Sequence, residues 1–355
     1  MEGIKLIDGM NGRKNNLDFI RFMAALAVIF SHAFSLSEGN STNEWIVRLT
    51  NGQTNLGHIA VFIFFITSGF LITQSFERTK KPYNYLKARI LRIFPALIVV
   101  IVCSAFILGP LVTTLPLVEY FTNINTYTYL TSILLHPINP FLPGVFETNI
   151  YKSAINGSLW TLQYEFLFYL VVLVLGVKRL LKSRVIIFCF GLFLILTFFN
   201  LPFGDTIAHI PKLFSYFLVG MIFYLLRDKI IFNKVLLIIS ILTLILTAYI
   251  GGFIYGLMFA GSYILFYFAY SKKIKFHGFS KYGDFSYGMY IFAFPVQQTV
   301  TQFFGGEMNV YVNFMISAPI TLLLSILSWH FVEKKALQYK KAKPTIKQEI
   351  NTISC

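Results

Sequence analysis

Ten apolar runs divide the chain, at about residues 17–37, 56–75, 91–114, 158–177, 185–200, 211–226, 235–250, 252–270, 284–304 and 310–331. A helix rises about 1.5 Å per residue, so roughly 20 apolar residues cross the ~30 Å hydrocarbon core of a bilayer. Each run reaches or approaches that length. A chain built this way is expected to be an all-α, polytopic integral membrane protein with about ten transmembrane helices. Its composition agrees, because only 13% of the residues are charged, against about 25% in soluble domains. The first 16 residues are polar and no small-residue cleavage pattern follows the first run, so that run is expected to be a retained helix.

The basic residues give an independent test of the count, because cytoplasmic loops carry lysine and arginine in excess. With the N-terminus inside, segments 1–16, 76–92, 178–184, 227–234, 271–283 and 332–355 hold 26 of the 30 lysines and arginines. The opposite side holds only Arg48, Lys152 and Lys212, and Arg21 lies within the first run. Both termini are therefore expected in the cytoplasm. The expected layout is a short N-terminal segment (1–16), a transmembrane domain (17–331) and a basic tail (332–355). The net charge of +15 then faces anionic membrane lipids or an anionic co-substrate. Nucleic acid is not an expected partner, since no soluble domain presents the basic surface.

A charge inside a membrane is costly, so each one is a candidate for function. Asp18, Arg21, His32 and Glu165 fall inside runs. Arg21 and His32 lie eleven positions apart, three turns and about 20°, which puts both on one helix face roughly 16 Å apart. Counted from Leu17, Arg21 lies ~6 Å deep and His32 ~22 Å deep; Glu165, counted from Ser158, lies at about His32's level. A histidine–carboxylate pair is expected there. The imidazole would take a proton from a hydroxyl, and the carboxylate would fix its tautomer. Arg21, nearer the cytoplasm, would hold an anionic group of a long donor.

Cys103 and Cys189 lie in apolar runs and Cys355 ends the chain, so neither a disulfide framework nor a metal site is expected. There is no internal repeat. The one long outer segment, 115–157, is rich in Asn, Thr, Tyr and Pro, a composition that fits a solvated loop or a sugar-binding surface.

Six patches, in order, resemble the acyltransferase-3 family of polytopic membrane acyltransferases across about residues 15–335. "NNLDFIRFMAALAVIFSH" carries Arg21 and His32, and "FFITSGFLIT" centres on Ser68, Gly69 and Phe70. "RILRIFPAL" holds Arg89, Arg92 and Pro95, and "LWTLQYEFLFYL" holds Trp160, Thr161 and Glu165. "FSYGMYIFAFPV" presents Ser286, Tyr287 and Tyr290, and "SWHFVEKKAL" closes with Glu333. Two positions depart from the family pattern, with Phe62 where many members have Asp and Ala293 where many have His.

The resemblance implies transfer of an acyl group, usually acetyl from cytoplasmic acetyl-CoA, to a hydroxyl of a cell-envelope carbohydrate such as O-antigen, capsule or a lipid-linked precursor, at a bacterial inner membrane. His32 and Glu165 would be catalytic, and Arg21, Arg89 and Arg92 would bind acetyl-CoA. Trp160, Ser286, Tyr287 and Tyr290 would meet the acceptor. Each has a structural alternative: Arg89 and Arg92 as charge anchors, Trp160 as an interface anchor, the hydroxyls as helix-packing groups, and Glu333 as a partner of Lys334 and Lys335. The competing function is a flippase or transporter of lipid-linked sugars.

Overall fold

The structure is a computed structural model that describes residues 4–10, 15–199, 205–271 and 273–340. Among these residues ten helices occupy the ten apolar runs. They are α1 (Leu17–Glu38), α2 (Leu56–Thr79), α3 (Pro82–Val112), α4 (Trp160–Val177), α5 (Ser183–Leu196), α6 (Ile210–Leu225), α7 (Lys234–Ile250), α8 (Phe253–Ala269), α9 (Ser286–Phe303) and α10 (Val310–Gln338). Five of them, α1 to α4 and α10, are long and apolar enough to cross a membrane. Helices α5 to α8 have 14 to 17 residues. The basic tail is described as far as Lys340; the remainder, with Cys355, lies outside the described residues.

Two helices outrun their apolar stretches. α3 opens at Pro82, where a fixed φ and a missing N–H cost nothing. Its first turns carry Lys87 and Arg89, ahead of the apolar run that begins at residue 91. α10 runs on to Gln338 through a π-helical turn at Trp329–Glu333.

The six basic segments meet at one end of the bundle. Strand β1 (Ile4–Lys5) pairs antiparallel with β2 (Ile231–Phe232). Buried Asn16 donates to the carbonyls of Phe268 and Ile274 and accepts from the Phe276 amide. Glu77 accepts from Tyr224 and pairs with Arg227. Phe76 packs against Gly176, just before the 178–184 segment. At the opposite end Gln53 bonds the carbonyls of Thr247 and Ala248, and Ile150 bonds Gly306.

α2 and α6 form the closest backbone contact near the centre. A Cβ on Gly69 would lie 2.0 Å from the Phe217 carbonyl oxygen, and one on Gly220 would lie 2.0 Å from that of Ile66. Small residues facing one another in this way let two membrane helices touch through their backbones. Gly69→Ala is expected to push α2 from α6 and to destabilise by ~1–3 kcal/mol, as overpacking does. Thermal unfolding of purified protein in detergent checks this, and an unaltered midpoint would show that the contact yields freely.

α9 is the polar helix of the interior. Buried Gln297 donates to the Ile29 carbonyl at 2.8 Å and to Asn313 at 2.9 Å, while Asn313 donates to Thr301 at 2.9 Å. These bonds fasten α9 between α1 and α10. Burying such amides without partners would cost several kcal/mol in hydrocarbon. α9 therefore belongs inside the bundle.

Candidate active site

A cleft opens from the basic end, walled by α1, α2, α3, α4, α9 and α10. Its outermost recess, about 270 Å³, is lined by Ser68, Arg89, Arg92, Tyr169, Asp284 and Lys340 among others. A second, narrow recess of about 30 Å³ continues past Thr161, Ser286 and Tyr290. Arg21, Glu165 and Tyr287 line both. Seven of the nine residues expected at the site, drawn from four helices, therefore meet in one cleft.

Asp284 organises its charges. Its Oδ2 lies 2.6 Å from Arg92 and 3.5 Å from Arg21, and its Oδ1 accepts from the Ser286 hydroxyl at 2.6 Å. Gly283 just before it adopts φ +154°, and a Cβ there would strike the Trp329 ring at 2.5 Å. Ser286 thus faces inward as a partner of Asp284 at the start of α9. Sequence reading passed over Asp284 although it opens the ninth apolar run, where the criterion that found Glu165 applies equally.

Glu333 is not a partner of Lys334 and Lys335. The π-helical turn adds a residue to the last turns of α10 and rotates Glu333 into the bundle, where it is 1% exposed. It pairs with Arg92 at 3.3 Å and accepts from Ser328 at 3.0 Å. Arg21, Arg92, Asp284 and Glu333 then balance in charge. Asp284→Ala would leave Arg21 unpaired and Arg92 half-paired, and breaking a mostly buried pair costs ~3 kcal/mol or more. A lower unfolding temperature in detergent is the expected result; an unchanged one would show that the cluster does not support the fold.

Glu165 accepts from the Tyr169 hydroxyl one turn along α4, and Ser68 Oγ lies 3.2 Å from it. The structure does not join it to His32. The depth count placed Ser158 at the membrane surface, but segment 149–158 folds back into the bundle beside α9. Asn149 donates to Gln298, Asn156 donates to the Ile291 carbonyl at 2.8 Å, and Ser158 is buried. α4 accordingly starts inside the bundle, packed beside α9. Thr161 meets Tyr290 at 2.6 Å, and Glu165, one turn further in, sits at the level of Arg21. Residues 154–158, at the end of the long outer segment, are thus packed into the bundle, while Ile150, Tyr151 and Lys152 stay exposed.

His32 lies one turn of α9 beyond Tyr290, edge-on to Phe294 with ring centroids 5.3 Å apart. Its Nδ1 is buried with no hydrogen-bond partner. Arg21 and His32 are eleven residues apart on α1, and their neighbours Asp284 and Phe294 are ten apart on α9 and just before it. The two helices run parallel and hold the two ends of the site at one fixed separation, about three turns. Trp160 is elsewhere. It packs on His209 at 4.9 Å and on Tyr164, outside the cleft.

Arg89 lies over the rings of Tyr85 and Tyr169, 5.9 and 5.8 Å from their centroids, and reaches Ser75 at 3.4 Å. Tyr287 donates to the Ile93 carbonyl at 2.8 Å, tying α9 to α3. Phe62 and Ala293, the two departures from the family pattern, are filled by packing. Phe62 is edge-on to Tyr216 at 5.1 Å, and Ala293 is fully buried against α1. Asp18 sits in the first turn of α1, where a carboxylate suits the helix dipole.

The family profile described as an acyltransferase domain matches residues 14–330, nearly the whole bundle. The chain belongs to the acyltransferase-3 family. An O-acetyl transferase of Shigella phage Sf6 is 30% identical over 344 residues, which cover 93% of this chain and 98% of the relative. Nodulation protein 10 of Rhizobium leguminosarum bv. viciae is 33% identical over 165 residues, 45% of this chain and 43% of that protein. No solved structure matches. As a member of the acyltransferase-3 family the chain is a membrane acyltransferase, and its relatives support O-acyl transfer.

Proposed function

We propose that this O-acyltransferase takes an acetyl group from cytoplasmic acetyl-CoA and places it on a hydroxyl of a surface polysaccharide or lipid-linked glycan at a bacterial inner membrane. The observation that carries the reading is the cleft itself. It begins at the lysine- and arginine-rich end, passes Arg21 and Glu165, and ends at Thr161 and Tyr290, one turn of α9 short of the Phe294 ring that His32 touches. A long anionic donor matches that layout, with its phosphates among the cations and its thioester at the far end. In this reading all ten helices cross and the basic end faces the cytoplasm, an orientation that the excess of lysine and arginine there supports.

In this reading His32 is the general base. The acceptor hydroxyl gives its proton to the imidazole, and its oxygen attacks the thioester carbonyl. The C–O bond forms, the C–S bond breaks, and the proton passes to the departing thiolate. The unpartnered ring nitrogen supports the role, because a buried nitrogen left without a bond calls for an explanation beyond packing. Glu165, bonded to Ser68 and Tyr169, lines the donor channel beside Arg21 and does not set the histidine tautomer in this reading. Tyr290 and Thr161, between the two ends, line the path to the reacting centre.

Release of free coenzyme A from acetyl-CoA by purified protein, on addition of glycan acceptors, tests the reading. A rate that depends on the acceptor is expected. A protein that moves lipid-linked sugars but never consumes the thioester would refute it.

A further inference from the structure

On the side of α9 turned away from the cleft, a groove runs between α3 and α10, two of the helices long enough to cross a membrane. It holds about 560 Å³, within the ~300–1,000 Å³ of small-molecule sites. Val100 and Leu108 of α3, Val296 and Val300 of α9, and Leu324 and Phe331 of α10 are among the residues that wall it. None of the described residues lining it is charged. Thr299 donates to the Pro295 carbonyl at 2.7 Å and Ser328 donates to Glu333 at 3.0 Å, so two of the groove's three hydroxyls are spent inside the protein and only that of Ser104 remains. A polar occupant would be buried there nearly without partners, whereas hydrocarbon is not penalised.

From Val99 to Leu111 the groove follows α3 for roughly 18 Å, a little more than one leaflet of the ~30 Å hydrocarbon core. A spanning helix of another chain would need the full thickness. Phe331, 63% exposed, marks the basic end of the groove, and the Lys335 ammonium, one turn on, lies 5.7 Å from the centroid of that ring. The turn that carries Glu333 inward leaves Lys334 and Lys335 outside, and among the described residues neither makes an ion pair. We infer that the groove holds an acyl chain of an anionic phospholipid from the leaflet at the basic end, with the lipid phosphate on Lys335. Basic positions beside gaps between membrane helices suit such headgroups. The chain packs against the back of α9, whose opposite face carries Tyr290 and Phe294, and against Ser328, which bonds Glu333 in its pair with Arg92. The lipid thereby braces the site without entering it.

Native mass spectrometry of the full-length protein in detergent tests this, with phosphatidylglycerol and phosphatidylcholine of the same chains as probes. One phosphatidylglycerol should be retained in preference to phosphatidylcholine. Lys335→Gln, a change at an exposed position, should reduce that preference roughly fivefold, the scale of one lysine facing an anionic headgroup, and Lys335→Arg should restore it. Val296→Trp fills the groove and should abolish retention. Phosphatidylglycerol should also raise the thermal midpoint of the wild type, as a ligand of the folded state does, and leave that of Val296→Trp unmoved. Equal retention of the two lipids by the wild type, or an undiminished preference in Lys335→Gln, would overturn the site. A dimer that Val296→Trp disperses would overturn it as well, because the groove would then hold a second copy of the chain.

Discussion

Replacing His32 with alanine is expected to cut acyl transfer by about 10² to 10⁴, the usual cost of losing a general base, while the protein folds and binds donor as before. His32 makes no hydrogen bond through Nδ1 and touches Phe294 through an edge contact. Its removal takes little from the packing, so a fall in activity would not come from unfolding. Steady-state rates and thermal unfolding measured on the same preparation separate the two effects. Wild-type turnover in a folded His32→Ala protein would remove the imidazole from the chemistry and move attention to Glu165.

The second large effect belongs to Arg21. Arg92 holds Asp284 at 2.6 Å, against 3.5 Å for Arg21, so the aspartate keeps its closer partner when Arg21 is removed. Arg21→Ala should therefore fold. Losing a charge-assisted contact to phosphate costs ~1.5–3 kcal/mol, or roughly 10- to 100-fold in donor affinity. Arg21→Lys should restore only part of this, because lysine keeps the charge and loses the planar fork. Unchanged coenzyme A binding in a folded but inactive Arg21→Ala protein would mean that Arg21 serves the chemistry, and that the three-turn separation from His32 does not measure the donor.

The elements of the fold were readable because the sequence states them in a simple code. Apolar runs are long, the turns between them are basic on one side, and ten helices appear where ten runs stand. The seven cleft residues were found through the resemblance and the rarity of charge in apolar surroundings. What the sequence hid lies in local irregularity. A π-helical turn rotates Glu333 inward, and no periodicity count with 3.6 residues per turn shows it. A segment of ordinary loop composition, 149–158, enters the bundle on the strength of a few amide bonds to α9, and Glu165 finds its partners in Ser68 and Tyr169. Trp160 was expected at the acceptor but finds a ring partner in His209 on a distant part of the chain. Asp284, the first residue of the ninth run, carries the central ion pairs and was not singled out among the charges inside runs.

The central claim is that one chain passes an acyl group from the basic end of the bundle to an acceptor reached from the other end. Vesicles containing the purified protein test it directly, with a labelled acetyl-CoA added outside and the glycan acceptor trapped inside. The account predicts label on the trapped glycan, from those molecules whose basic end faces outward, and none with His32→Ala. Label found only on acceptor supplied on the donor's side, or equal transfer by wild type and His32→Ala, would contradict it.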